Sequence, residues 1–235
     1  MARNKKKKGR KSKTALSRRA FLAAAGTGVA TTVMVRVSPL VQGKTFNPDL
    51  IRPPGSLAED DFLTRCIRCG ECMKVCPTNV IHPTTLEAGL AGIWSPFLVT
   101  EIGYCDYICT LCGQVCPTGA IEELTVEEKQ QVHIGTAYLD RSRCLPFVFA
   151  TTCIVCEEHC PTPKKAIWFE EVTVYDRDGN PKQLKQPHVD PELCIGCGIC
   201  EVKCPINDPA AIRCRSGGET RNPANQFLLS TSPYG

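Results

Sequence analysis

The sequence predicts a small, loop-rich α+β protein whose interior is organised by sulfur. The 235-residue chain holds 17 cysteines but only 15 aromatic residues (8 Phe, 5 Tyr, 2 Trp). A chain this poor in large apolar groups has modest means of building a core from side chains alone. Sixteen of the cysteines fall into four sets, each ending in Cys-Pro, and each set is followed within a few residues by an isoleucine: Ile81, Ile121, Ile167 and Ile212. Apolar positions thus recur with the cysteines as one repeated unit.

The N-terminus reads as a separate element. Residues 1–43 carry eleven of the 28 Lys and Arg and no Asp or Glu, which leaves 17 basic residues against 24 acidic ones, a net charge of −7, in the body. After the Lys-rich run come Ser17-Arg18-Arg19-Ala20-Phe21-Leu22 and a mostly apolar or small stretch to Val35. A basic region followed by a short apolar one is the pattern of an export signal, and this stretch is shorter than the roughly 20 residues that span a bilayer. The paired arginines before Phe-Leu resemble a twin-arginine signal, which exports folded proteins. That context turns the basic run from nucleic-acid binding towards targeting. Val41-Gln42-Gly43 offers a cleavage point; without an Ala-x-Ala triplet, retention as an uncleaved anchor stays open.

Residues 44–57, with Pro48 and Pro53-Pro54-Gly55, read as an extended linker. Motif one follows as Cys66-x2-Cys69-x2-Cys72-x3-Cys76-Pro77, and motif four repeats it at Cys194, Cys197, Cys200, Cys204 and Pro205. In bacterial ferredoxins this spacing wraps three thiolates around one [4Fe–4S] cube, and the Cys before proline ligates a second. Gly70, Gly196 and Gly198 suit loops that need positive φ close to a cluster. Motif two, Cys105-x3-Cys109-x2-Cys112-x3-Cys116-Pro117, is one residue longer in its first gap. Motif three, Cys144-x8-Cys153-x2-Cys156-x3-Cys160-Pro161, is looser. Cys144 counts as a ligand because Leu139-Asp140-x3-Cys144 matches Val189-Asp190-x3-Cys194.

Zinc ribbons pair two C-x2-C knuckles into one site and need no third Cys and no Cys-Pro. Disulfides between residues two or three apart meet restrictive geometry. The reading is therefore four [4Fe–4S] clusters on sixteen cysteines. Cys214 lacks a partner at ligand spacing and is expected to be a spare thiol, and His82, His133, His159 and His188 to be non-ligands. Folded export fits this cofactor load, since it keeps sixteen thiols from reaching an oxidising compartment unfolded. Thr125-x-x-Glu128 is a capping box for a helix over roughly 126–132. Trp168 to Tyr175, then Asp178-Gly179-Asn180 and a strand near 184–189, predict a hairpin. Residues 215–235 are expected to be a loosely ordered tail.

The twin-arginine signal, Arg52-Pro53-Pro54-Gly55 before motif one, the loose third motif and the four cluster motifs together resemble the MauM/NapG group of ferredoxin-type proteins, over about residues 15 to 213. More broadly the chain is similar to the four-cluster subunits of molybdenum oxidoreductases. That resemblance implies two pseudo-symmetric ferredoxin-like lobes within 58–214, one from motifs one and four and the other from motifs two and three. It implies the ligand sets Cys66, Cys69, Cys72 and Cys204; Cys194, Cys197, Cys200 and Cys76; Cys105, Cys109, Cys112 and Cys160; and Cys144, Cys153, Cys156 and Cys116. Sequential pairing, one with two and three with four, is the open alternative. The resemblance further implies electron passage between a membrane quinol-oxidising partner and a periplasmic reductase or dehydrogenase, or a place in a stable molybdenum-type complex. Motif two lacks the insertion expected of nitrate-reductase members, so the pathway stays open. With no triad, phosphate loop or substrate motif apart from the cluster ligands, the chain is expected to be a carrier and not an enzyme in its own right.

Overall fold

A computed structural model of the chain describes residues 47–175 and 179–225. The proposed signal, residues 1–43, lies outside the described residues. No helix among the described residues is long and apolar enough to cross a membrane.

Chain order gives α1 (Glu59–Arg65), α2 (Glu71–Val75), β1 (Ile81–Pro83), a 3-10 turn (Leu90–Gly92), β2 (Pro96–Leu98), α3 (Leu111–Gln114) and α4 (Val126–Gln131). There follow β3 (Thr136–Leu139), α5 (Leu145–Val148), α6 (Val155–Glu158), β4 (Ile167–Tyr175), β5 (Pro181–Val189), α7 (Ile199–Lys203) and β6 (Ile212–Arg215). Helices of four to seven residues are too short to hold by themselves. Four of them, α2, α3, α6 and α7, each carry the third cysteine of a motif (Cys72, Cys112, Cys156, Cys200), and all four of these cysteines are buried. Gly70 and Gly198, at φ 78° and 84°, turn the chain into α2 and α7, the left-handed conformation the sequence leads one to expect there.

The strands form three two-stranded antiparallel ribbons, β1–β2, β3–β6 and β4–β5. One rule places all four motifs. Each recurring isoleucine pairs with the segment that leads into another motif: Ile81 with Leu98 before motif two, Ile121 with Ser56 before motif one, Ile167 with Val189 before motif four, and Ile212 with Leu139 before motif three. The carbonyl just before each isoleucine accepts from the same leading segments: Val99 to Val80 at 2.8 Å, Leu57 to Ala120 at 3.2 Å, and Asp190 to Ala166 and Asp140 to Ala211, each at 2.7 Å. Motifs one and two therefore exchange strands with each other, as do three and four. Helix α2 packs on α3, and α6 on α7.

The pairing of motif one with four and two with three is thus corrected to sequential pairing. Short connections join neighbours in sequence, and the link from β1 to β2 needs only one small loop.

Two more expectations change. Residues 47–57 are not a free linker. Ile51 bridges to Leu98, and Arg52 is buried, with its guanidinium donating to Ser95 Oγ at 2.9 Å, to the Pro96 carbonyl at 2.7 Å and to the Glu59 carboxylate, 4.6 Å over the Phe62 ring. Proline-rich extended chain reads as linker, but it is equally suited to a sheet edge. The tail is likewise packed as far as Asn225: Ser216, Glu219 and Asn225 are buried, the Ser216 amide donates to the Pro48 carbonyl at 2.8 Å, and Arg221 pairs with Glu59 at 2.8 Å and Glu219 at 2.6 Å. Polar residues hid this because the segment is held by hydrogen bonds and ion pairs. The helix at 126–131 forms with both arms of its capping box. The hairpin forms too, its second strand beginning at Pro181.

Candidate metal centres

The strand exchange delivers the fourth cysteine of one motif to the first three of its neighbour. One hollow of about 350 Å³ is lined by Cys105, Cys109, Cys112 and Cys76, with Ile81, Leu98 and Leu111. A second, also about 350 Å³, is lined by Cys144, Cys153, Cys156 and Cys204, with Ile212. A third of about 330 Å³ is lined by Cys194, Cys197, Cys200 and Cys160, with Ile167 and Cys214. Cys72 lies beside Cys66, Cys69 and Cys116, whose charge would raise its pKa. We number these groups by the motif that gives three of the four thiols: site 1 (with Cys116), site 2 (with Cys76), site 3 (with Cys204) and site 4 (with Cys160). The structure brings the first three thiols of each motif together, and the fourth thiol beside them is not the one the resemblance implies. Cys204 does not join Cys66, Cys69 and Cys72; Cys76 does not join motif four; Cys160 does not join motif two; Cys116 does not join motif three.

The donor chemistry fits an iron–sulfur cluster better than a single ion. Each site gathers four thiols, and among the described residues no three His, Cys, Asp or Glu side chains converge closely enough to hold one metal ion. Burial pushes the thiols of Cys72, Cys112, Cys156 and Cys194 up to about 12, and those of Cys105 and Cys144 to about 11, with neighbouring thiols adding to the rise in each case. Thiols that resist ionising alone, packed in fours, need positive charge between them, and metal coordination deprotonates a thiol outright.

Two of the cysteines before proline, Cys76 and Cys116, are treated differently. Burial raises Cys76 and Cys116 too, but hydrogen bonds outweigh it and both end below the ordinary value. Thr78 and the backbone at Val80 and Ile81 act on Cys76, and the backbone at Ile121 and Thr118 on Cys116. The hydroxyls of Thr78, Thr118 and Thr162 stand 3.5, 3.8 and 3.2 Å from Cys76, Cys116 and Cys160, and the Ile121 and Ala137 amides donate to Cys116 and Cys194 at 3.4 and 3.3 Å. Such bonds to sulfur tune a cluster. The sequence held the signal for these threonines, since three of the four motifs read Cys-Pro-Thr.

The four sites form a series. Cys72 of site 1 neighbours Cys112 of site 2, and Cys156 of site 3 neighbours Cys200 of site 4. Across the middle, the Cys105 amide donates to the Cys197 carbonyl at 2.7 Å, joining sites 2 and 4. The order in space is 1, 2, 4, 3. At one end Cys69 is exposed; all four cysteines of site 4 are buried.

Cys214 is not remote. Only 1% exposed, it lines the site 4 hollow together with Cys200. Strand period could have found it, because residue 214 shares a face with Ile212. The histidines point elsewhere. Ring nitrogens of His82, His133 and His159 meet the carbonyls of Asn79, Cys194 and Val155 at 2.9, 3.0 and 3.0 Å. His188 stacks on Trp168 with centroids 4.6 Å apart and faces Glu170 at 3.2 Å.

Comparison with known proteins places [4Fe–4S] binding on two of the four motifs. A family described as "4Fe-4S binding domain" matches residues 62–82 and 187–207, which contain motifs one and four. The chain is 34% identical to the methylamine utilization ferredoxin-type protein MauM of Methylorubrum extorquens, over 86% of this chain and 88% of that one. It is 32% identical to the ferredoxin-type protein NapG of Escherichia coli, over 68% of each. Against the Escherichia coli ferredoxin-type protein NapF the identity is 30%, over 67% of this chain and 81% of the relative. No solved structure matches.

Proposed function

This chain belongs to the MauM/NapG group of ferredoxin-type proteins, and we propose from that premise that it relays single electrons through four [4Fe–4S] clusters. The observation that carries the proposal is the unbroken series of four-thiol sites, with site 2 joined to site 4 by the Cys105–Cys197 hydrogen bond. When bound, each cluster supplies one-electron oxidation and reduction at a potential set by its surroundings. The protein holds the ligands: Cys66, Cys69, Cys72 and Cys116 at site 1; Cys105, Cys109, Cys112 and Cys76 at site 2; Cys144, Cys153, Cys156 and Cys204 at site 3; Cys194, Cys197, Cys200 and Cys160 at site 4. Ile81, Ile167 and Ile212 line three of the hollows and keep water from the thiols. The chain acts as a carrier and leaves substrate chemistry to its partners.

The partners proposed are a membrane quinol-oxidising ferredoxin-type protein and a periplasmic redox enzyme. The signal at Arg18-Arg19 supports export through the twin-arginine translocase to the periplasm, with the chain tethered if the signal is retained. Replacing both arginines with lysine should hold the protein in the cytoplasm; equal recovery from the periplasm would end that part of the reading. Anaerobic purification with iron and acid-labile sulfide counted per chain tests the whole. About sixteen of each is expected for four cubes, and about four zinc atoms without sulfide would refute it.

Exposed Ile67, next in sequence to Cys66, and exposed Ile154, next in sequence to Cys153, favour a second reading at the level of assembly, in which these ends are covered in a stable molybdenum-type complex. Copurification of a heavy partner carrying a catalytic cofactor would support it.

A further inference from the structure

Four charged side chains are buried among the described residues: Arg52, Lys129, Glu201 and Glu219. Three have charged or donor partners. Arg52 pairs with Glu59, Glu219 with Arg221, and Glu201 accepts the Cys214 amide at 2.8 Å. Lys129 is the exception. It is 4% exposed, and it takes part in none of the ion pairs among the described residues. Its ammonium donates to the backbone carbonyl of Asp106, which lines the site 2 hollow next to the ligand Cys105. The Asp106 carboxylate is turned to the Ile108 amide at 2.9 Å. Helix α4, fixed by its Thr125–Glu128 capping box, holds the lysine there, and the Lys129 amide donates to the Thr125 carbonyl at 3.0 Å.

A buried charge with no counter-charge is strongly destabilising. The arrangement makes sense if site 2 holds something negative. A cube held by four thiolates is anionic, and reduction adds one more negative charge.

We infer that Lys129 is the built-in counter-charge of site 2, stabilising its reduced form and raising its potential above that of the same cluster without the lysine. The inference rests on the four-cluster reading. Placing the more readily reduced centre next to the junction with site 4 would let an electron rest in the interior of the series.

The test uses the full chain, purified anaerobically, with Lys129→Met, Lys129→Gln and Lys129→Arg variants. Iron and sulfide are counted first, and redox titration is followed by electron paramagnetic resonance. Parent protein without iron or sulfide would overturn the four-cluster reading and this inference with it. In loaded protein, Met and Gln are expected to make one of the four couples at least about tenfold harder to reduce, about 59 mV for one electron, with the other three unmoved and Arg close to the parent. Four unmoved couples in loaded Met and Gln variants would overturn this inference alone. If Met and Gln lose the iron of one site and Arg keeps it, the charge requirement stands. If all three lose it equally, the lysine is only a packing element and the inference fails.

Discussion

The backbone amide of Cys105 donates to the carbonyl of Cys197 across 2.7 Å, and this bond ties the two halves of the molecule together at their sulfur sites. Each residue belongs to a different motif pair. Gly198 follows Cys197 at φ 84°, and a Cβ there would lie 2.5 Å from the Thr100 side chain. The close approach of sites 2 and 4 therefore depends on backbone meeting backbone and on a position without a side chain.

Gly198→Ala is expected to force that junction apart. Overpacking of this kind costs about 1–3 kcal/mol, and the left-handed conformation adds about 1–2 kcal/mol more. Thermal melting of the loaded protein should show the loss. An unchanged melting temperature would mean that the halves do not meet as closely as 2.7 Å implies.

The grouping of thiols can be read by non-additivity, because residues that share one site do not give independent losses. Cys72→Ala is expected to remove about four of about sixteen iron atoms. Adding Cys116→Ala should remove few more, whereas adding Cys204→Ala should bring the loss to about eight. Iron analysis decides it, and the reverse pattern would restore the pairing of motif one with motif four.

Cys214→Ala is expected to keep the full iron complement, since four other thiols surround site 4, while changing one resonance signal because Cys214 lines that hollow. Loss of a cluster in this variant would make Cys214 a ligand.

Glu59 links Arg52 near the beginning of the described chain to Arg221 near its end. Burial pushes its carboxyl up, but the two guanidiniums outweigh burial and hold it below the ordinary 4.5. A carboxyl depressed on folding contributes stability above its unfolded pKa and loses that contribution as pH falls through the lower folded one. Glu59→Gln should therefore cost about 3 kcal/mol at neutral pH, the lower end for a broken buried pair because Glu59 retains some contact with solvent. The melting-temperature gap between parent and variant should narrow as pH drops below 4.5. Glu219 is shifted upward by burial, so the comparison with Glu59→Gln isolates the depressed group. A gap independent of pH would contradict the ion-pair account.

The iron–sulfur chemistry was legible in the residues alone. Cysteines every third residue, Cys-Pro endings and the recurring isoleucines are local patterns, and local patterns specify which thiols turn together within one loop. The capping box at Thr125 and the hairpin from Ile167 were legible for the same reason, since each depends on near neighbours. Tertiary structure decided what joins those loops. Whether Cys204 or Cys116 completes the site of Cys72 depends on which strands pair, and all four motifs offer the same Cys-Pro, so spacing is degenerate among them. The burial of Arg52, the packing of Ser216 to Asn225 and the isolation of Lys129 from any carboxylate among the described residues were equally hidden, because polar residues reveal their partners only when distant segments meet.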